Sequence, residues 1–281
     1  MAIRITTDST SDLQAQVEKW GIEMMPLNVV LDSQTYLDGV NIQPTDIFEF
    51  VERTKILPKT SARSIDDYEE FFERVLGGEG NQLIHFSISD KSSVSHSVAK
   101  QAAEKFGGRV LVVDSKALST GQGLLVLKAC ELRDAGKTAS EIFETVNDLR
   151  PLVNTSFIPD KLDYLYKGGR CSKMEMYGAN ILKIHPLIAE NDGQLIVKRK
   201  YRGAMTRCIS QYVEDLHNEY PNYDKTRCFI THSYADPELV ELAVKKVKEL
   251  FDFEEIIVSV AGSVITGHCG RNTLGVLFIS K

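Results

Sequence analysis

Over the first half of the chain, short apolar runs alternate with longer segments whose apolar positions recur every three or four residues. Runs bounded by polar turns predict strands, and the longer recurrence predicts amphipathic helices. Ile3 to Thr7 is such a run and stops at Asp8-Ser9-Thr10-Ser11-Asp12, a cluster of helix-capping residue types. Ile22 to Leu31 reads as one extended stretch, and Pro44 to Arg53 carries Ile47, Phe48 and Val51 at helical spacing. Ser64 opens a helix with Tyr68, Phe71, Phe72 and Val75 on one face and Asp67 near a capping-box position. Leu83 to Phe86 predicts a strand running into the polar loop Ser87 to Ser93, and a small-residue helix follows through Val98, Ala99, Ala102 and Ala103. After the strand Val110 to Val113 and the turn Asp114-Ser115, helices are expected over Gly121 to Ala135 and Ala139 to Leu152. Strand, crossover helix, strand is the pattern of a parallel sheet covered on both faces.

Past Pro151 the texture changes. His185 to Glu190 and Gln194 to Lys198 flank Asn191-Asp192-Gly193, a hairpin signal. A helix over Ala204 to Tyr220, a strand over Thr226 to His232, a helix from Pro237 to Leu250, and strands over Ile256 to Val260 and Leu274 to Ile279 complete the pattern. The expected fold is therefore an α/β domain over residues 1–153 and an α+β domain with a mixed or antiparallel sheet over 154–281.

Composition narrows the function. A formal charge of −6 and a pI near 5.6 argue against a nucleic-acid partner, which usually calls for a basic footprint. No apolar run is long enough to span a bilayer, and the N-terminus lacks a signal-peptide core. The cysteines Cys130, Cys171, Cys208, Cys228 and Cys269 are scattered and form no CxxC pair, which suits a reduced, cytoplasmic protein. The six histidines show no paired metal-binding spacing, so no metal is expected.

Motifs for nucleotides fail in detail. Gly121-Gln122-Gly123 continues into Leu124-Leu125 and lacks the third glycine of a dinucleotide fingerprint, and no GxxxxGK[ST] run is present. What remains is a set of hydroxyl-rich turns at strand ends, Asp8 to Ser11, Ser87 to Ser93 and Asp114-Ser115, together with the loop Lys59-Thr60-Ser61. Open α/β sheets bind ligands at that rim. His268, flanked by Gly267 and Gly270 between two apolar strands, is either an anion donor or a structural loop histidine. Gly168-Gly169-Arg170 is either a helix C-cap with a solvated arginine or an exposed functional guanidinium. Lys198 to Arg202 reads mainly as the solvent face of a hairpin.

Several short motifs occur in order along the chain: Thr7 to Leu13, Pro58-Lys59-Thr60-Ser61, Ser92-Ser93-Val94-Ser95 and Val113-Asp114-Ser115 with Gly121 to Leu125. Leu165 to Lys173, Leu182 to Ile188 and the glycine-flanked His268 follow. Together they resemble the DegV family of bacterial fatty-acid-binding proteins, the lipid-presenting subunits of fatty acid kinase. The likeness implies one long-chain fatty acid held between the two domains, no cofactor, and an ATP-dependent kinase subunit as partner. By position it implies that Ser93, Thr60 or Ser61, and His268 bind the ligand carboxylate, while Arg170 and Arg202 lie near the mouth and face the kinase. Ser92 and Val94 depart from the family's usual Leu and Gly beside Ser93, and the stretch Thr266 to Asn272 departs from its usual Gly-Thr-His and Gly-Pro-Gly.

The energetics suit such a ligand. About fourteen buried methylenes at about 0.8 kcal/mol each give on the order of 11 kcal/mol before the costs of association. The carboxylate loses its water and needs replacement donors. Two alternatives compete: a serine-type esterase or hydrolase with Ser93 as nucleophile and His268 as base, which lacks a GxSxG elbow, and a sugar- or nucleotide-binding module, which requires a polar interdomain cleft.

Overall fold

The computed structural model describes residues 2–170 and 184–281. Its strands are β1 Ile3–Asp8, β2 Ile22–Met25, β3 Asn28–Leu31, β4 Gln34–Leu37, β5 Lys59–Ser61, β6 Gln82–Ser87 and β7 Val110–Asp114 in the first part of the chain. The second part has β8 Val153–Asn154, β9 Ser156–Ile158, β10 Ile184–Asn191, β11 Gln194–Arg202, β12 Tyr223–Ser233, β13 Glu255–Val260 and β14 Thr273–Ser280. β2, β1, β6 and β7 form a wholly parallel sheet in that order.

Both faces of this sheet are covered, so its central strands β1 and β6 are buried over most of their length. Because side chains alternate along a strand, Ile84 and Phe86 of β6 join one core with Leu124 and Leu127 of the helix Ser119–Asp134 and Ile142 of the helix Ala139–Leu149. Leu83 points the other way, into a core with Tyr68 and Phe72 of the helix Ile65–Leu76 and Ala99 of the helix Ser95–Ala103. The capping box expected at Ser64 is present: Asp67 N donates to Ser64 Oγ at 3.1 Å and Ser64 N to Asp67 Oδ2 at 3.0 Å.

One expectation fails here. Ile22 to Leu31 is not one strand: it divides between β2 in the parallel sheet and β3 in a small antiparallel sheet ordered β4-β3-β5. Pro26 falls at the break, where a missing N–H ends the ladder. The segment Lys59-Thr60-Ser61, expected as a loop, is the edge strand β5 of that sheet.

The second domain is built on a mixed sheet ordered β11-β10-β9-β14-β12-β13, with β8 paired to β14. Its parallel pair among the described residues, β12 with β13, is joined by the helix Pro237–Leu250. The β10–β11 hairpin turns at Asp192 (φ 47°) and Gly193 (φ 85°), the positive-φ pair that a two-residue type I′ loop needs. The helix Met205–Glu219 packs Tyr212 and Leu216 onto this sheet.

The helix Ser119–Asp134 lies between the two halves. Its Leu124 and Leu127 share a core with Ile5 of β1 and with Phe229 and Leu277 of the second sheet. Close approach explains the Gly121-Gln122-Gly123 sequence. A Cβ on Gly121 would overlap the Thr155 side chain, and one on Gly123 would lie 2.9 Å from Leu13 Cδ2. Gln122 between them donates to Thr7 Oγ1 at 2.8 Å and to Phe86 O at 3.2 Å. The motif is a packing device between lobes.

Candidate functional site

Four elements converge on one narrow cavity. β5 supplies Thr60 and Ser61, the turn before the helix Ser95–Ala103 supplies Ser92 and Ser93, the end of the short helix Asp163–Lys167 leads to Arg170, and the helix Ser263–Cys269 supplies Ile265, His268 and Cys269. Thr10, Leu27, Ile88, Leu118, Leu165, Leu195 and Val264 also line it. Five of the six residues singled out in the sequence thus meet in one place. Arg202 does not line the cavity; it is exposed at the open end of the β10–β11 hairpin, opposite Ile184. The Cys171-Ser172-Lys173 and Leu182-Lys183 portions of the motifs fall outside the described residues.

His268 departs from its expected setting. It sits in the last turn of the helix Ser263–Cys269 and not in a glycine loop between strands. The helix is short and begins at Gly262, so its period was hard to read from sequence. Its Nε2 hydrogen bonds with Thr60 Oγ1 at 2.8 Å, while Nδ1 is buried without a partner among the described residues. Burial, and then the nearby Arg170 charge, push the imidazole pKa down to about 4. Burial thus favours the neutral ring.

The glycines around the ring make room for it. A Cβ on Gly168 would stand 2.5 Å from His268 Nδ1, and one on Gly267 would stand 2.9 Å from Pro58 Cγ, just ahead of β5. Gly168-Gly169 also ends the helix Asp163–Lys167, with Gly169 at φ 75°. Both readings of this segment hold in part. The turn is a C-terminal stop, and it returns Arg170 to the cavity, where the guanidinium donates to Gly168 O and, at 3.2 Å, to Ser92 O. Desolvation lowers the arginine's pKa without neutralising it.

Thr60 and Ser61 differ in role because successive strand residues face opposite ways. Thr60 meets His268, whereas the Ser61 hydroxyl accepts from Asn28 Nδ2 at 3.2 Å. Ser93 Oγ accepts from Ser95 N at 3.2 Å and bonds with Ser95 Oγ at 2.9 Å, so it is tied to the first helical residue as well as lining the cavity. The Ser93–His268 pair that an esterase would need is not formed among the described residues: Ser93 is bonded to Ser95 and His268 to Thr60. Thr10 and Ser92 belong to the hydroxyl-rich rim turns, but no sequence signal separates them from the other hydroxyls there.

The polar end opens onto an apolar interior. Ile88, Leu118, Phe157, Leu162, Leu165, Ile188, Ala261, Ile265 and Cys269 form one buried cluster, with Leu195 and Val197 against it. The cavity is about 60 Å³, and a second of about 30 Å³ continues beyond the shared side chains Leu118, Ile265 and Cys269, along Phe157, Thr231 and Leu277. Ligand pockets usually span about 300–1,000 Å³, so an extended chain would have to part this cluster. A larger recess of about 510 Å³ lies between Lys116, Arg150 and the β10–β11 hairpin, but it is charged. Lys116 there is held at 3.0 Å by both Asp90 and Asp114.

Among the described residues no three His, Cys, Asp or Glu side chains are arranged to hold a metal ion, and no helix is long and apolar enough to cross a membrane. Cys130, Cys208, Cys228 and Cys269 are free and buried.

Comparison with known proteins bears on the fold and the family. A DegV domain-containing protein of Clostridium acetobutylicum is 32% identical over 283 residues, covering 99% of each chain. Among solved structures, a DegV family protein from Thermus thermophilus, described for its fatty acid binding, superposes with a TM-score of 0.91 at 29% identity over 100% of both chains. The Streptococcus pneumoniae fatty acid kinase (Fak) B3 protein, loaded with linoleic acid, superposes with a TM-score of 0.87 over 100% of both chains; at 21% identity the likeness is one of fold. The family model described as "Uncharacterised protein, DegV family" matches residues 2–281. With that match spanning nearly every residue, the chain belongs to the DegV family.

Proposed function

We propose that this protein binds a long-chain fatty acid, with the acyl chain in the apolar cluster around Leu118, Ile265 and Cys269 and the carboxylate at Thr60, Ser93 and His268. The observation that carries the proposal is the joining of a buried apolar cluster to a terminus lined by hydroxyls and a neutral imidazole. A carboxylate leaving water needs such donors, and an alkyl chain needs nothing but apolar surface. The solved Thermus thermophilus relative, described for fatty acid binding, supports the same ligand class.

The proposed head-group arrangement is a short relay. His268 Nε2–H donates to Thr60 Oγ1, which frees the Thr60 hydroxyl hydrogen for the carboxylate; Ser93 donates from the other side, with Ser61 at the margin. Entry of the chain parts the side chains of the cluster. Those side chains exchange contacts with one another for contacts with methylenes, so little apolar surface returns to water. In this reading residues 1–153 and 154–281 are the lobes that flank the ligand.

The finer part of the proposal is presentation of the carboxylate to an ATP-dependent kinase for acyl-phosphate formation. The sequence has no phosphate-cradling run, so the nucleotide chemistry belongs to a partner and the chain acts as a cytoplasmic carrier without its own catalysis. Arg170 at the cavity margin offsets charge on the incoming phosphoryl group, and the exposed Arg202 docks the partner. Mass spectrometry of organic extract from the purified protein tests the core reading. A stoichiometric, unmodified long-chain acid is expected; a polar metabolite, or a cavity that refuses added palmitate or oleate, would sink it.

A further inference from the structure

The helix Ser263–Cys269, which carries His268 in its last turn, has no side-chain cap of its own. Its N-cap is Gly262, which offers no side chain to its first N–H groups. Two carboxylates from the start of the chain supply the acceptors. Asp12 Oδ1 accepts from Gly262 N at 2.8 Å, and Asp38 Oδ1 accepts from Ser263 N at 2.7 Å. Both acids are almost fully buried, at 2% and 3% exposure. A Cβ at 262 would lie 3.2 Å from Asp12 Oδ1 and 3.3 Å from Asp38 Oδ1, so the glycine is what lets both reach the helix end.

Each acid is itself held in place. The Ser119 hydroxyl donates to Asp12 Oδ2 at 2.5 Å, and the Ser259 hydroxyl to Asp12 O at 3.1 Å. Asp12 adopts a left-handed backbone, φ 53°, which turns its carboxylate across the interlobe space. Asp38 is also approached by the Ser9 hydroxyl and Val264 N–H, although its Oδ2 has no close partner among the described residues. A serine at position 262 would cap the helix without burying charge. Instead desolvation raises the pKa of both acids, and the nearby Asp38 raises that of Asp12 further. Local helix stability alone does not call for so expensive an arrangement.

We propose that Asp12 and Asp38 are positioning residues that fix the helix Ser263–Cys269 along its axis and thereby set His268 Nε2 against Thr60. The helix is seven residues, about two turns and roughly 10 Å long, and it packs through Gly267 directly on Pro58. A displacement at Gly262 is therefore delivered to the imidazole. The ligand consequence rests on the fatty-acid reading above; the geometric consequence does not.

Imidazole nitrogen NMR reads the His268 Nε2 signal and its hydrogen bond directly, without ligand. Asp12→Asn and Asp38→Asn are expected to shift that signal, whereas Val247→Ala, a core truncation in the distant helix Pro237–Leu250, lowers stability and leaves it in place. Retention of added oleate is expected to fall about tenfold in each Asp variant, the loss of about one charge-assisted bond. An unmoved ring signal in both Asp variants, or an equal shift in Val247→Ala, overturns the proposal. If either Asp variant fails to fold, Ser263→Pro removes one gripped N–H at a position where proline suits a helix start; the same ring shift is expected, and its absence is equally fatal. Should the unaltered protein hold no oleate, the fatty-acid reading fails while the ring signal still decides the positioning role.

Discussion

A neutral imidazole is a different tool from a charged one. With burial pushing its pKa down to about 4, His268 favours the neutral ring, in which one nitrogen donates and the other accepts. Fatty acid retention should therefore show no inflection near pH 6.5 attributable to this residue, as measured by equilibrium dialysis between pH 5.5 and 8; a clear loss through that range would contradict the assignment. His268→Ala and Thr60→Ala should each weaken retention about tenfold, and Ser61→Ala much less, because the Ser61 hydroxyl is turned to Asn28. His85 carries a second pH signature. Fully buried against Tyr68 and Phe72, it has its pKa pushed to about 3 by desolvation, with the neighbouring His96 adding to the effect. The unfolded chain takes up this proton below about 6.5 while the folded one refuses it, so the stabilisation is full above pH 6.5 and falls as pH drops towards 3. Asp8, Asp12 and Asp38, all raised by burial, act in the opposite direction and lose stability as pH rises through their raised values. The comparison that isolates His85 is the change in urea midpoint from pH 7 to pH 5, which should be smaller in His85→Gln than in the unaltered protein.

Helices and strands in this fold are placed by close contact as much as by propensity. Gly→Ala in a helix interior ordinarily stabilises by up to about 1 kcal/mol. At Gly121 the sign should reverse, because the added methyl meets Thr155 across the lobes; a loss of about 1–3 kcal/mol in chemical denaturation is expected. Gly168→Ala tests the functional counterpart. Its methyl would press on His268 Nδ1 and on Tyr164 O at 2.9 Å, so ligand retention should suffer more than stability does. These close approaches also explain which elements were readable. The helices from Ile65, Ala139 and Pro237 carry caps or N-terminal prolines and a clean apolar stripe, and they start where the sequence indicates. The helix Ser263–Cys269 is almost wholly buried and short, with no polar face to mark its period, and it was invisible.

For the whole molecule, the decisive quantity is the space between the lobes. An apolar cluster with cavities of about 60 and 30 Å³ separated by Leu118, Ile265 and Cys269 must open to accept a chain. Loading with oleate should therefore raise the thermal midpoint and slow amide exchange in the helix Ser263–Cys269, since a ligand bound only to the folded state stabilises it by mass action. The partner reading is tested separately. With a fatty acid kinase and ATP, Arg170→Ala should retain the acid yet form acyl phosphate at least about tenfold more slowly; loss of the acid itself would instead make Arg170 part of the head-group site.

The order of motifs along the chain was enough to fix the family, the two architectures and five residues that share one cavity, because strand period, capping chemistry and short motifs are local properties. Whether His268 is charged, which of Thr60 and Ser61 meets it, where Arg202 lies, and how little free volume separates the lobes depended on folding. Each is set by contacts between segments far apart in sequence: Thr60 with His268, Gly168 with the imidazole, Asp12 and Asp38 with the start of the last helix. Burial and proximity of that kind arise only when the sheets and helices pack together, so no window of the sequence contains them.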